Sequence, residues 1–307
     1  MIMKRSRRVH EKKDGEDDEN TVVCNILRLP EACLAHAISL TTPGDACRSI
    51  AVSSAFQAAA SSNSVWERFL PPGYGSILAR ADHPVDLTST MKELFCSLAQ
   101  DHVLLDQGTK SFWLEQTSGA KCYMLSSSSL GIAWRENPLY WRRTYLPDSR
   151  FEEVTELLAV CWLEVSGKID SGELSPDKKY SAYLVFRLLN ESCGLDCPTQ
   201  QGFITRDGEI VSAKRIISLH PQTTAQEAAA ESGDEQGRGR ADEEVSITTV
   251  SVSYPRERDD GWMEVELGEF YNRQEDTGIL AISLIEHVQL HWKKGLICEG
   301  IEIRPKK

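Results

Sequence analysis

Ser111-Phe112-Trp113-Leu114, Lys121-Cys122-Tyr123-Met124-Leu125-Ser126, Ile132-Ala133-Trp134, Tyr140-Trp141 and Val160-Cys161-Trp162-Leu163-Glu164-Val165 follow one another in a stretch that ends at Leu189. Short apolar and aromatic runs alternate there with Gly, Ser, Asn137-Pro138 and Pro147-Asp148. β-Branched and aromatic side chains suit a pleated surface, and the interruptions suit turns, so the stretch predicts strands joined by turns. Four of the chain's seven tryptophans lie in it, which marks it as the centre of an all-β domain.

Outward from this stretch, Tyr180 to Leu189 is apolar almost throughout and predicts a strand buried on both faces. Trp262 to Leu267 alternates, which places Met263, Val265 and Leu267 on one face and Trp262, Glu264 and Glu266 on the other. Ile282 and Leu284 alternate with Ser283, and Ile297, Ile301 and Ile303 oppose Cys298, Glu302 and Arg304. Short strands of period two with frequent turn signals predict an antiparallel sandwich or barrel over residues 111–307. Residues 221–244, rich in Ala, Gly, Gln and Glu, carry no strand signal and read as a disordered surface insertion.

The composition narrows the class. A chain of 307 residues with 41% apolar content can bury a sizeable core, and a formal net charge of −12 argues against nucleic acid as a partner. No apolar run approaches the roughly 18 residues of a membrane span or signal helix, so no membrane association is expected. Nine cysteines at irregular spacing read as reduced intracellular thiols. Cys193 and Cys197 are four apart but lack a second pair of zinc ligands, and neither metal nor cofactor is expected.

Residues 1–25 are largely polar and charged and read as a disordered tail, with Lys4, Arg5, Arg7 and Arg8 fitting either a nuclear import address or plain solvation. From Ile26 the character changes. Leu34, Ala37, Ile38 and Leu40 recur at helical spacing after Pro30, and Thr42-Pro43-Gly44-Asp45 breaks the pattern. Asp45 is positioned to cap a second helix, and Ser53 or Ser54 a third leading to Val65-Trp66.

Leu29-Pro30-Glu31, the helix after it, the Pro43-Gly44-Asp45 break, Val52-Ser53-Ser54-Ala55-Phe56 and Val65-Trp66-Glu67-Arg68-Phe69-Leu70 resemble an F-box over residues 26–71. That resemblance implies a three-helix module docked onto a Skp-type adaptor of an SCF-type cullin–RING ubiquitin ligase. Physics agrees, because fewer than about 50 residues cannot bury a self-sufficient core. Leu29, Pro30, Leu34, Ile38 and Val52 are the expected apolar surface for the adaptor; the alternative is that these helices pack on the β-domain. Residues 72–110, with a helix from Met91 and a short strand from Asp101 to Leu105, read as a helical linker.

Most of the large aromatics belong to the core, Trp162 among them, because each buries a large apolar area. Trp134 and Trp141 differ in flanking the polar turn Arg135-Glu136-Asn137-Pro138, which places them at a loop end of the sandwich. Exposed aromatic faces beside carboxylates and amides suit sugars, whose C–H faces pack on rings while their hydroxyls need polar partners. The same rings also suit protein hot spots.

Trp113-Leu114, Lys121 to Ser126, Ile132-Ala133-Trp134, Tyr140-Trp141, Val160 to Glu164, Tyr180 to Phe186, Gly261 to Glu264, Leu267 to Phe270 and Gly300 to Lys306 together resemble the phloem-lectin, or Nictaba-type, domain. The resemblance implies a jelly-roll-like antiparallel β-sandwich that binds N-acetylglucosamine oligomers and N-glycans of glycoproteins. Its binding residues fall on Trp134, Trp141 and Glu286. A second carboxylate position falls on Ile279, where an unpaired hydroxyl would cost about 1–3 kcal/mol.

An enzyme reading starts from Glu264 and Glu266, which share a strand face at about 6.5–7 Å, near the 5–5.5 Å or so of retaining glycosidases. Nothing in their surroundings distinguishes an acid from a nucleophile, and a solvated face is the plainer account. The expected protein is mostly β and acts as a non-catalytic adaptor of the nucleus and cytoplasm. Its rival is a sandwich that recognises a protein partner without carbohydrate.

Overall fold

The computed structural model describes residues 25–85, 89–222 and 251–306. The expected tail at 1–25 and insertion at 221–244 lie outside them apart from Asn25, Pro221 and Gln222. Helices α1 (Glu31–Ser39), α2 (Pro43–Ser49), α3 (Ser54–Ala60) and α4 (Asn63–Phe69) fill the F-box-like stretch, followed by α5 (Tyr74–Leu78) and α6 (Met91–Gln100). The apparent break at Thr42 is the start of α2. Thr42 Oγ1 accepts the Asp45 N–H at 3.1 Å with Pro43 in the first turn, so Thr42 and not Asp45 is the cap. Ser53 caps α3 by accepting the Phe56 N–H at 3.3 Å, and a Thr90–Glu93 capping box opens α6.

The strands are β1 (Val103–Leu105), β2 (Lys110–Leu114), β3 (Lys121–Ser126), β4 (Gly131–Ile132), β5 (Trp141–Thr144), β6 (Val154–Leu157), β7 (Leu163–Asp170) and β8 (Lys178–Cys193). Then come β9 (Gln200–Arg206), β10 (Glu209–Ile210), β11 (Arg215–Ile217), β12 (Val252–Ser253), β13 (Arg256–Glu257), β14 (Met263–Asn272), β15 (Ile279–Glu286) and β16 (Lys294–Pro305). One sheet runs β1-β2-β3-β16-β8-β14-β13, with β6 joined to β16 and β5 to β6. The other runs β12-β11-β9-β15-β7-β4, with β10 on β9. Among the described residues every pairing is antiparallel except β11 with β12. The protein is mostly β, a sandwich behind N-terminal helices.

Period two does the folding work in the second sheet. Leu163, Val165 and Ile169 of β7 and Leu280, Ile282 and Leu284 of β15 are buried, while Glu164, Ser166, Lys168 and Ser283 face outward. The sheets meet closely, since a Cβ on Gly202 of β9 would sit 2.6 Å from the Leu267 carbonyl oxygen of β14. β8 lies between β16 and β14 with Tyr180, Ala182, Leu184, Val185 and Phe186 buried, as a strand covered on both faces must be.

Two alternations read from the sequence do not hold. β16 is buried from Gly295 to Ile303, and its register shifts between Cys298 and Gly300, so its residues do not sort into an inner and an outer set. Glu264, expected on a solvated face, is buried with Glu302 beneath arginines. Arg258 reaches Glu264 at 2.7 Å and Glu302 at 3.2 Å, Arg304 bonds both, and Arg256 also pairs with Glu264. Burial opposes ionisation of Glu264, but these guanidiniums outweigh it and hold the carboxyl at about 2. Arg256, Arg258, Glu264 and Arg304 of this network line a cavity of about 1170 Å³.

The helices are neither free-standing nor wholly absorbed. Trp66 donates its indole N–H to the Ala60 carbonyl at 2.7 Å and packs edge-on to Phe69 and against Phe95 of α6. Leu94, Phe95 and Leu98 carry that core to Phe112 and Leu114 of β2, so one buried cluster runs from Leu34 to Ile303. The Gly44 N–H donates to the Thr117 carbonyl at 3.2 Å across the same joint. Trp66→Ala is therefore expected to cost about 3–5 kcal/mol and to lower a single unfolding transition. Helical ellipticity and tryptophan fluorescence should be lost together; two separated transitions would contradict a shared core.

Candidate functional site

Three connections meet at one end of the sandwich: residues 133–140 between β4 and β5, 158–162 between β6 and β7, and 287–293 between β15 and β16. Backbone bonds tie them together. The Ala133 N–H donates to the Glu164 carbonyl at 3.0 Å, and that of Leu158 to Tyr140 at 2.8 Å. Val160 and Lys293 exchange bonds of 2.9 and 2.7 Å.

The sequence-predicted residues separate here. Trp134 has a φ of +63°, a left-handed conformation that a bulky residue rarely adopts, and the residue is 60% exposed. The Asn137 N–H returns to the Trp134 carbonyl at 2.9 Å, and Asn137 Oδ1 accepts the Leu139 N–H at 3.0 Å, which sustains the turn. Trp134 borders a shallow cavity of about 660 Å³ with Arg135, Glu136, Asn137 and Pro138. Arg135 Nη1 is anchored on the Ser128 carbonyl at 2.6 Å.

Trp141, expected to be exposed beside Trp134, is 3% exposed and donates its indole N–H to the Ala133 carbonyl at 3.0 Å. It props the residue before Trp134 and offers no free ring face. Glu286 is also buried. Its Oε2 accepts from Lys293 Nζ at 2.5 Å, and its Oε1 accepts the N–H groups of Val288 and Gln289 at 3.0 and 2.9 Å. Burial works against its charge, but Lys293 and those N–H groups pull its pKa below the ordinary carboxylate value. The carboxylate is engaged by its own loop rather than held open for a hydroxyl. Ile279 sits at the opposite end of β15 from Glu286, paired with Asp170 while Glu286 pairs with Leu163. Its apolar side chain therefore lies away from Trp134 and does not impoverish this end.

Trp162, expected in the core, is 39% exposed. It precedes the inward Leu163 and Val165, so strand parity turns it outward, a signal the sequence contained. Its ring stacks on His287 at 4.8 Å and 27°, and its Nε1 donates to Glu164 at 3.1 Å. Leu139 in the first of these connections and Val288, Leu290 and Trp292 in the third are also exposed.

In the segments that flank α1 and join α2 to α3, Leu29, Pro30 and Val52 are exposed, as are Ile26 and Leu40. Leu34 and Ile38, expected to face an adaptor, are buried in the module's own core. Among the described residues no helix is long and apolar enough to cross a membrane, and no group of three or more His, Cys, Asp or Glu side chains could hold a metal ion.

Residues 120–305 match the family described as Phloem protein 2. An F-box protein of Arabidopsis thaliana is 42% identical over 91% of this chain and 80% of its own length. F-box protein PP2-B10 of the same plant is 39% identical over 91% and 93%, and F-box protein PP2-B1 39% over 91% and 89%. A xylan-binding domain of Paenibacillus barcinonensis Xyn10C overlaps 59% of this chain and 87% of its own at 8% identity and a TM-score of 0.27, too loose to support fold or function.

The buried Glu286–Lys293 pair makes a distinct forecast. Glu286→Gln leaves an ammonium buried without its counter-charge and should cost about 3–5 kcal/mol, whereas Glu286→Leu with Lys293→Met should cost less than the single change. Because the folded pKa of Glu286 is depressed, its contribution is present above 4.5 and is lost as pH falls through the folded value. Denaturant midpoints measured from pH 7 to 3 should fall less steeply in the double variant than in the wild type.

Proposed function

The chain belongs to the phloem protein 2 family, in which its relatives are F-box proteins, and from that premise we propose that it is the substrate-recognition subunit of an SCF-type cullin–RING ubiquitin ligase. The F-box helices would dock a Skp-type adaptor through exposed Leu29, Pro30 and Val52, with Leu34 and Ile38 supporting them from the core. The loop end of the sandwich would capture N-acetylglucosamine-containing glycans on glycoproteins in the nucleus and cytoplasm. The observation that carries this reading is Trp134, a large aromatic presented to solvent on a left-handed turn beside Glu136 and Asn137. Trp141 and Glu286 then act by holding that turn and the facing loop. The protein contributes no chemistry; holding a marked substrate beside the transfer machinery raises the effective concentration of its lysines.

A second reading has its own support. Leu139, Val288 and Leu290 are exposed aliphatic side chains in two of the three connections, and such groups serve a protein contact better than a sugar hydroxyl. In this reading the same end binds a protein partner directly.

Calorimetric titration of the intact chain with chitotriose separates the two. Saturable binding that Trp134→Ala removes, with an unchanged unfolding midpoint, supports the glycan reading. A folded wild type that binds no chitotriose overturns it in favour of the protein reading. Leu29→Ala with Pro30→Ala should abolish adaptor co-purification while sparing chitotriose binding, and loss of both would show that the pair supports the fold instead.

A further inference from the structure

The outward face of the second sheet continues the loop end without interruption. Ala133 is bonded to Glu164, so Trp134 leaves the edge of β7 one residue from the point where Trp162 precedes that strand. Neighbouring strands lie about 4.8 Å apart, which brings the backbones of both tryptophans to the same corner of the sheet. Trp162 is not a loose surface ring. Its edge is fixed by the Nε1–Glu164 hydrogen bond and one face by the His287 stack, so its other face is a preset platform.

The strand face beside that platform carries several polar groups, with Ile285 of β15 between Glu164 and Gln201. Glu164 and Ser166 of β7, Ser283 of β15 and Gln201 of β9 all lie half-buried on this face, with Ser166 opposite Ser283 and Gln201 opposite Ile285. A protein hot spot is ordinarily a well-packed pocket ringed by contacts that exclude water. An open face with hydroxyl, amide and carboxylate groups around one fixed ring matches instead a pyranose laid flat, its C–H face on the indole and its hydroxyls within reach of side-chain donors and acceptors.

We propose that the Trp162–His287 platform is a second sugar subsite contiguous with Trp134, which holds a further residue of an N-acetylglucosamine oligomer across the corner of the sheet. This rests on the glycan reading of the Trp134 end. Preorganisation is what makes the subsite effective: a ring already held by Glu164 and His287 loses little rotamer freedom on binding.

The test is titration of the intact chain with chitobiose and chitotetraose. The wild type should bind the tetramer more tightly than the dimer. Trp162→Ala should weaken tetramer binding about tenfold, the order of one aromatic contact, and leave dimer binding unchanged. Trp162→Phe, which keeps a ring on the platform, should retain most of the tetramer affinity, and matching unfolding midpoints establish that each variant is folded. A Trp162→Ala protein that binds the tetramer as the wild type does overturns the second subsite and leaves the glycan reading intact. Equal losses for dimer and tetramer overturn it as well, because the ring would then belong to a single site. A folded wild type that binds neither overturns the glycan reading itself, and the subsite with it.

Discussion

The ammonium of Lys293 is fully buried and fully satisfied: it donates to Glu286 Oε2 at 2.5 Å, to the His291 carbonyl at 2.7 Å and to the Cys161 carbonyl at 3.1 Å. A buried charge without such partners would cost several kcal/mol, so the ion cannot be placed until both loops that supply those oxygens are in position. The same residue exchanges backbone bonds with Val160 and leads directly into β16, which then pairs with β3, β6 and β8. One side chain thereby fixes where the last strand enters the larger sheet and where two of the three site connections end. The pair selects an arrangement more than it adds net stability, since two matched apolar groups would fill the same space without demanding this geometry.

A second constraint joins the ends of the molecule. Trp66, Phe95 and Phe112 belong to one buried cluster, so the helices that present Leu29 and Val52 and the sandwich that presents Trp134 share their packing. Protein interiors are close-packed and transmit displacement instead of absorbing it. The two exposed surfaces are therefore held at a set spacing, with α6 as the spacer, whereas a flexible linker would let them wander. On the proposed ligase role, that rigidity would decide which lysines of a captured substrate come within reach.

Legibility in the sequence followed the range of the forces involved. Period-two burial in β7 and β15, the doubly covered β8, the Ser53 cap and the order of the first helices are local patterns, and each stands in the residues themselves. What escaped reading is non-local. Glu264 looks like a solvated carboxylate until Arg256, Arg258 and Arg304 close over it, the last of them 40 residues away in the chain. Trp134 and Trp141 flank the same turn and look equivalent, yet only a left-handed backbone at Trp134 sends one ring out while the other goes in. Ile279 and Glu286 are close in sequence, but an extended strand of eight residues puts them at opposite ends of β15. Trp162 was within reach of the parity rule and was obscured by the apolar run that contains it.

The tryptophans also show what kind of selectivity this end can have. The indole N–H groups of Trp141 and Trp162 are used internally, on the Ala133 carbonyl and on Glu164. Trp141 is buried, so of the two only Trp162 has a face to offer, and a face discriminates by shape and C–H packing rather than by hydrogen bonding. Selection among ligands of similar shape must then fall to polar groups beside the rings, namely Glu136, Asn137 and Glu164. A site built to pair a hydroxyl rejects analogues lacking it far more strongly than an apolar site rejects a missing methylene. On the proposed glycan reading, Trp134 and Trp162 would supply reach along a ligand, and those neighbouring carboxylates and amides its identity.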